Sequence, residues 1–365
     1  MLNLAYFISP HGFGHASRSV AVMQSLLARS PHIHFHIFTL VPGWFFEDAL
    51  PASCFTLHKE RSDIGLVQRS PLEEDLPATI SALHQYFPFQ PELLSCLAAS
   101  LVNCRCQAVL CDIAPLGIAA AQAAGIPSIL IENFTWDWIY EGYLSTQPAF
   151  AQIIPGLAQV FRQADHHIQT QPLCQPSPAA DLTTHPVSRR PKSPPSEVRN
   201  RLGIKDNNPA VLITMGGIPE KYAALDQLRK LSSVWFMLPG SSNEHQIQDN
   251  LVLLPHRSAF YHPDLVNASQ AVIGKLGYST ISEVYHAGLA FGYIPRDQFR
   301  ESPLLSAYVD QNFNAICISD QDFYSGKWIN HMDALLSAPR LVRAVPNGAD
   351  QISEFILKHL SAQSL

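Results

Sequence analysis

Two stretches constrain this chain more than any others, because each passes from an apolar run through glycines into a helical pattern. Leu2 to Ile8 is apolar apart from Asn3, and Ser9-Pro10-His11-Gly12-Phe13-Gly14-His15-Ala16-Ser17-Arg18 follows. Ala16, Val20, Met23 and Leu27 then recur at helical spacing. Late in the chain, Ala271-Val272-Ile273 leads through Gly274-Lys275-Leu276-Gly277 into Tyr278-Ser279-Thr280-Ile281-Ser282-Glu283. A continuous apolar run is the mark of a strand covered on both faces of a parallel sheet. Strand, glycine turn and helix together make the first half of a βαβ unit, so the chain is read as α/β with parallel sheets.

The same alternation recurs along the chain. His34–Thr39, Cys54–Leu57, Ala108–Cys111 and Ser128–Ile131 are strand candidates. So are Ala210–Thr214, Val234–Leu238, Leu251–Leu254 and Ala290–Ile294. Thr79–Cys104 reads as helix broken at Pro88 and Pro91, and Pro115–Ala124 as a second helix. Glu60–Asp75 reads as a loop. Between Gln171 and Ser196 the alternation stops and seven prolines intervene, the composition of a linker or an extended crossover. The expectation is two doubly wound, Rossmann-like domains facing across a cleft. Their bounds are 1–170 and 201–345, joined by a Pro-rich segment over 171–200 and closed by a C-terminal helix in 346–365. A length of 365 residues fits two domains.

Composition excludes several classes. With 24 basic and 30 acidic residues the net charge is -6, which argues against a protein that holds nucleic acid by counterion release. The seven cysteines are scattered with no CxxC pair, so reduced thiols in a cytoplasmic protein are expected. No Lys or Arg precedes Arg18, so the start lacks the pattern of a signal peptide. Ala108–Ile131 is apolar enough to suggest a membrane span, but Asp112, Pro115, Gln122, Gly125 and Pro127 divide it into strand, helix and strand.

The candidate chemistry lies at the ends of the strands. Backbone N–H groups at the start of the helix after Gly277 attract anions, and glycines admit a ligand to the backbone. That favours a diphosphate cradle, with Glu283 one turn along as an acceptor for ribose hydroxyls. The alternative is an ordinary capped helix, with Ser279 or Thr280 as N-cap and Glu283 closing a capping box. His15, at the end of the first glycine loop, is placed either to act as a general base or to hydrogen-bond a substrate oxygen. That loop departs from GxGxxG, since Ser17 stands where the third glycine belongs, so it is not read as a nicotinamide site. Asp112, at a strand end, either orients a histidine or caps the next helix. Trp136-Asp137-Trp138 offers aromatic faces beside a carboxylate, suited to a sugar ring or to a packed cluster. Met215-Gly216-Gly217 is a second glycine turn after a strand. His32, His34 and His36 share one strand face and are read as a polar face rather than a metal site. Asp320-Gln321-Asp322 is read as helix capping, and no metal is expected.

Taken together, these residues resemble the glycosyltransferases of the GT-B architecture over nearly the full length of the chain. The first loop and Gly277–Glu283 are similar to the corresponding loop and donor motif of the enzymes that add N-acetylglucosamine to the bacterial cell-wall lipid precursor. A closer resemblance is to the glycosyltransferase-like N-terminal region of plant L-arabinokinase. It is carried by His11–Ala16, Asn133–Tyr140, Gly274–Tyr278, and Arg296-Asp297 with Glu301 and Pro303. It does not extend to a kinase region, so phosphorylation of arabinose is not implied.

The resemblance implies an enzyme that transfers a sugar from a nucleoside-diphosphate sugar, UDP-linked, to a small-molecule, glycan or lipid acceptor, without a metal or other cofactor. His15 would face the reacting atoms, with Asp112 and Asp137 as further catalytic candidates. The donor would meet Gly12, Gly14, Gly216, Gly217, Lys275, Gly277, Tyr278, Ser279, Thr280, Glu283, Arg296, Asp297 and Glu301. Gln311 and Asn314 resemble the segment that touches the donor sugar. After the strand at Ala290–Ile294, residues 295–308 depart from the family's usual pattern. A nucleotide-sugar epimerase or hydrolase of the same fold, or a non-catalytic sugar-nucleotide sensor, are the rival expectations.

Overall fold

The computed structural model describes residues 2–70, 73–205, 207–216, 224–296 and 298–362. Two compact units emerge, each with its own sheet. The first contains Met1–Ser188, Phe299–Glu301 and Pro346–Leu365; the second contains Arg189–Gln298 and Ser302–Val345.

The sheet of the first unit is built from β1 (Leu2–Ile8), β2 (Ile33–Thr39) and β3 (Phe55–Lys59), and from four strands later in the chain. A short antiparallel pair, β4 (Gln68–Ser70) and β5 (Glu73–Glu74), stands apart from it within the segment read as loop. The later strands are β6 (Ala108–Asp112), β7 (Ser128–Glu132), β8 (His166–Thr170) and β9 (Leu182–Thr184). Their order is β3-β2-β1-β6-β7-β8-β9, all parallel. Chain order reverses direction at β1, which lies between β2 and β6. In a doubly wound sheet such a reversal opens a crevice outside the carboxyl ends of the strands. The interior of β1 is buried on both faces, which is why it reads as one apolar run. Phe7 stacks on Phe38 of the neighbouring strand with ring centroids 4.4 Å apart.

The second unit repeats this plan. It comprises β10 (Ala210–Thr214), β11 (Trp235–Ser242), β12 (Gln246–Gln248), β13 (Leu251–Pro255), β14 (Ala271–Lys275), β15 (Ala290–Ile294) and β16 (Ala315–Cys317). The order is β12-β13-β11-β10-β14-β15-β16, parallel throughout except for the antiparallel β12–β13 pair. Here the reversal lies at β10, between β11 and β14. Gly274 is fixed by that pairing, since a Cβ there would lie 2.3 Å from the Thr214 carbonyl oxygen.

Helix Pro115–Ala124 and strands β1, β10 and β15 fall where the sequence puts them. The expected long helix over 79–104 is two helices, Leu76–Tyr86 and Pro91–Asn103, separated around Pro88 as its prolines predict. β8, β9, β12 and β16 are strands that the sequence analysis does not identify; the first and third are mostly polar. The closing helix Gly348–Ala362 packs within the first unit, where Ser25 donates to Asp350 Oδ1 at 2.8 Å. No helix among the described residues is long and apolar enough to cross a membrane. None of the seven cysteines is joined in a disulfide.

Candidate functional site

In the first unit, the loop after β1 turns at Gly12 with φ +68°, a conformation that favours glycine, and the helix Gly14–Arg29 begins two residues later. His15, Arg18 and Ser19 are three and four residues apart and so share a helix face. All three point at Asp112, the last residue of β6. His15 Nδ1 lies 2.9 Å from Asp112 Oδ1. Arg18 grips the same carboxylate with two hydrogen bonds, Nη2 to Oδ1 at 2.7 Å and Nε to Oδ2 at 2.8 Å. Ser19 donates to Oδ2 at 3.2 Å. The guanidinium is only 1% exposed, and its Nη1 also donates to Asn133 at 2.8 Å and to Thr170 at 3.2 Å.

Burial pushes the Asp112 carboxyl upward, but Arg18 and His15 outweigh it and hold the group below the usual carboxylate range. An ionised Asp112 accepts from the Nδ1–H of His15 and leaves Nε2 of that ring as the basic nitrogen. Asp112 thus contacts a histidine and does not cap the next helix. The helix Pro115–Ala124 is preceded instead by Ala114, with no side-chain cap.

Asp63 lies in the same region and is absent from the sequence-based candidates. It sits within the segment read as a polar loop, yet it is only 2% exposed. Ser9 donates to its Oδ1 at 3.0 Å and the Trp136 indole N–H to its Oδ2 at 2.9 Å. Burial pushes its carboxyl up to about 6, against the opposing pull of those two donors. The loop is drawn inward by further bonds: Ser62 to the Ile8 carbonyl at 2.6 Å, and Tyr140 to the Gly65 carbonyl at 2.7 Å. His11 packs edge-on to Trp136 and accepts from the Leu66 N–H at 3.4 Å.

This arrangement decides the reading of Trp136-Asp137-Trp138. Trp136 is buried against Asp63, Phe134 and Tyr140, and Trp138 lies beneath the Arg300 guanidinium at 4.2 Å. The aromatic faces are packed, which favours the cluster over an open sugar platform. Asp137 enters the first turn of the helix Trp136–Glu141. Burial raises its pKa, and its Oδ1 has no hydrogen-bond partner among the described residues. Glu301, grouped with the donor residues in the sequence, falls in the first unit, where Asn133 Nδ2 lies 3.4 Å from its Oε2.

The second unit carries its own cluster at the carboxyl ends of β10 and β14. A Cβ on Gly216 would lie 3.4 Å from the Lys275 Cε, so the glycine turn and the lysine are neighbours. Gly217 and Asp297 lie outside the described residues. The helix Tyr278–Ala287 starts directly after Gly277, which has no side-chain capping bond. The expected capping box is therefore absent: Ser279 and Thr280 lie inside the helix, and Glu283 turns to other partners. Tyr278 and Thr280 are buried, while Ser279 is half-buried.

Glu283 Oε1 accepts from Arg189 Nε at 3.1 Å and Nη2 at 2.9 Å. Its Oε2 lies 2.8 Å from His262 Nδ1. Burial raises the carboxyl, but Arg189 and His262 together bring it below its ordinary value. His262 Nε2 reaches Thr214, at the end of β10, at 3.3 Å. Arg296 is buried near the end of β15, its N–H bonded to Ser302 Oγ at 2.9 Å.

Gln311 and Asn314 stand apart from this cluster. The helix Ser302–Asn312 runs back across the sheet, so both residues lie near the amino ends of β15 and β16. There Asn314 donates to the Pro339 carbonyl at 2.9 Å. Asp320 and Asp322 occupy a first helical turn whose N-cap is Ser319, which accepts from the Asp322 N–H. Arg18, Asp63, Asn133, Arg189 and His262 were missed by sequence reasoning. Of these, Arg18 carried a signal: it is three residues from His15 in a helix of otherwise small and apolar inward positions.

No family model matches the chain. It is 28% identical to L-arabinokinase of Arabidopsis thaliana over 357 residues, covering 96% of this chain and 33% of that protein. It is 28% identical over 193 residues to MK0977, an uncharacterized glycosyltransferase of Methanopyrus kandleri, covering 49% of this chain and 53% of that one. The matches thus span a third and about half of the two relatives' lengths. Among solved structures, it is similar to UGT71G1 of Medicago truncatula, determined with UDP-glucose. The TM-score is 0.63 at 12% identity, covering 98% of each chain. Such a likeness at low identity is one of fold, and the fold of this chain is that of the GT-B glycosyltransferases.

Proposed function

We propose that the protein is a glycosyltransferase that takes a sugar from a nucleoside-diphosphate sugar, UDP-linked, and transfers it to an acceptor hydroxyl without a metal. The observation that carries this reading is the His15–Asp112–Arg18 network at the reversal point of the first sheet. A sugar acceptor's hydroxyl is a poor nucleophile until its proton is accepted. Asp112 fixes the His15 tautomer, and Nε2 is the nitrogen that accepts that proton, a role worth ~10²–10⁴-fold in rate.

The second unit supplies the donor side of the proposal. Gly216, Lys275, Gly277 and the uncapped start of Tyr278–Ala287 make a cationic, N–H-rich lining for a diphosphate. Charge that builds on the leaving diphosphate would be met by the helix N-terminus and Lys275 rather than by a metal. Glu283 keeps one lone pair on Oε2 beyond the His262 bond, enough to accept from a ribose hydroxyl. The UDP-glucose complex of the similar plant protein supports UDP as the nucleotide. Gln311 and Asn314 have no part in this proposal.

The test pairs a panel of nucleotide sugars with His15→Ala, following nucleoside diphosphate release and product mass with chelator present. Sugar transfer by the parent, and a large fall in turnover with donor affinity intact in the variant, is expected. Diphosphate release that needs no acceptor would instead make the protein a hydrolase, and an isomeric nucleotide sugar formed without net diphosphate release would make it an epimerase. Tight nucleotide-sugar binding without turnover would make it a sensor.

A further inference from the structure

His36, His58 and Cys104 come together in the first unit, away from the network around Asp112. His36 lies in β2 and His58 in β3; in the register His36 pairs with Thr56, and Phe38 with His58. The two imidazoles are therefore diagonal neighbours on one sheet face. His36 Nδ1 is 3.2 Å from His58 Nε2. Cys104 follows the helix Pro91–Asn103, and one ligand atom from each of the three residues lies within 4.8 Å of the others. All three side chains are half-buried.

We propose that His36, His58 and Cys104 form a binding site for a zinc-class transition-metal ion, with a water molecule in the fourth position. Bond lengths of ~2.0–2.1 Å to nitrogen and ~2.3 Å to sulfur place tetrahedral ligands about 3.3 Å apart for N and N. For N and S the figure is about 3.6 Å. His36 Nδ1 and His58 Nε2 already stand near the first separation, and the ligand atoms of the three residues lie within 4.8 Å of one another, so the thiol has at most about an ångström to close. A two-imidazole, one-thiolate set is borderline to soft, and selects zinc-like ions over magnesium or calcium.

The surroundings prepare the ligands. Burial, then His34 and His58, lowers the His36 pKa to about 4, and burial lowers that of His58. Their surroundings therefore disfavour the charged imidazolium, and the neutral ring is the form that ligates. His58 stacks on Phe38 at 4.3 Å with the planes 9° apart, which fixes its ring. The backbone of Cys104 is pinned by Asn3 Nδ2 to its carbonyl and by its own N–H to Ser100, each at 2.9 Å. On binding, the proton between the two imidazoles moves to the outer nitrogen of its ring. The thiol proton leaves to solvent. His32, His34 and His36 read from sequence as a polar face, because His58 and Cys104 lie 22 and 68 positions beyond His36.

The probe is the metal alone, Co²⁺ and Zn²⁺, added to the full chain. One equivalent of Co²⁺ should give tetrahedral d–d absorption and a thiolate-to-cobalt charge-transfer band in the near ultraviolet. Native mass spectrometry should show one zinc ion per chain. Cys104→Ser should abolish the charge-transfer band, while Cys96→Ser, at an exposed cysteine outside the cluster, should leave it intact. Losing an outer partner of a metal ligand costs ~10–100-fold in affinity, so His36→Ala should weaken zinc binding by at least roughly a hundredfold. A cobalt spectrum without the charge-transfer band overturns the site, as does zinc affinity unchanged in the Cys104→Ser and His36→Ala proteins. Circular dichroism of each variant separates loss of metal from loss of fold.

Discussion

His15 Nδ1 and Asp112 Oδ1 stand 2.9 Å apart, though 97 positions separate the two residues in the chain. The helix after β1 and the end of β6 meet there because β6 pairs directly with β1. The contact is thus a product of sheet order. Arg18 makes it robust by saturating the rest of the carboxylate.

Asp112→Asn tests what the carboxylate does. The substitution removes the charge facing a buried guanidinium, and breaking a buried pair costs ~3–5 kcal/mol of stability. Asn also presents an N–H where His15 and Arg18 need an acceptor, so the His15 tautomer is no longer fixed. The expected outcome is a lowered melting temperature and, in protein still folded, a fall in turnover without a matching fall in donor affinity. Calorimetry and kinetics on the same sample check both. Turnover equal to that of the parent would remove the His15–Asp112 pair from the chemistry.

Asp63 gives a pH dependence of defined sign. Its carboxyl is raised from its ordinary value to about 6 by burial, so the folded state holds its proton more tightly than the unfolded chain. Its stabilising contribution is complete below about pH 4 and is lost as pH rises through about 6. A shift of about two pH units corresponds to roughly 3 kcal/mol. Asp112 and Glu283, both held below the ordinary range, contribute with the opposite sign and are lost toward acid. Asp63→Asn removes only the first contribution. Denaturant melts of parent and variant between pH 4 and 7 should show the variant gaining relative stability as pH rises. Parallel curves would contradict the assignment.

The sheets were legible in the sequence because parallel strands buried on both faces leave uninterrupted apolar runs, as in β1, β10 and β15. β8, His166-His167-Ile168-Gln169-Thr170, was not. Its polar side chains are satisfied in place, His167 and Gln169 both bonding Glu132 at 2.7 Å, and no local pattern announces such partners. The candidate residues at strand ends were visible for the same reason as the strands. Their partners were not: Arg189 meets Glu283 across 94 positions, and Asp63 meets Trp136 across 73. The capping box failed because Thr280 and Glu283 suit a box in isolation, whereas Arg189 and His262 offer the carboxylate stronger, charge-assisted bonds.

Glu283→Gln tests the donor cluster. Gln preserves the volume but removes the charge that binds Arg189 and His262. Losing one charge-assisted hydrogen bond to a ribose should weaken UDP binding by ~1.5–3 kcal/mol. Titration calorimetry should be run at a temperature where circular dichroism shows both proteins folded, since Arg189 also loses its partner. UDP affinity equal to the parent's would leave Glu283 as an anchor for Arg189 and His262 and take it out of the nucleotide contact.

Gly274→Ala tests whether the approach of β10 to β14 positions the donor cluster. The added Cβ would stand 2.3 Å from the Thr214 carbonyl oxygen, a contact with backbone that no side-chain rotation relieves. The strands must part, and overpacking of this kind costs ~1–3 kcal/mol. Thr214 also lies 3.3 Å from His262, and Lys275 is the next residue after Gly274, so the displacement acts on both ends of the cluster. The variant should therefore lose stability and nucleotide affinity together. Gly277→Ala is the control, because the nearest atom to its Cβ is 4.0 Å away and the residue carries no positive φ. It should fold as stably as the parent. Its UDP affinity should nevertheless fall, since the methyl group enters the space above the helix start where the diphosphate is proposed to sit. If Gly277→Ala binds UDP as tightly as the parent, the diphosphate does not approach that backbone.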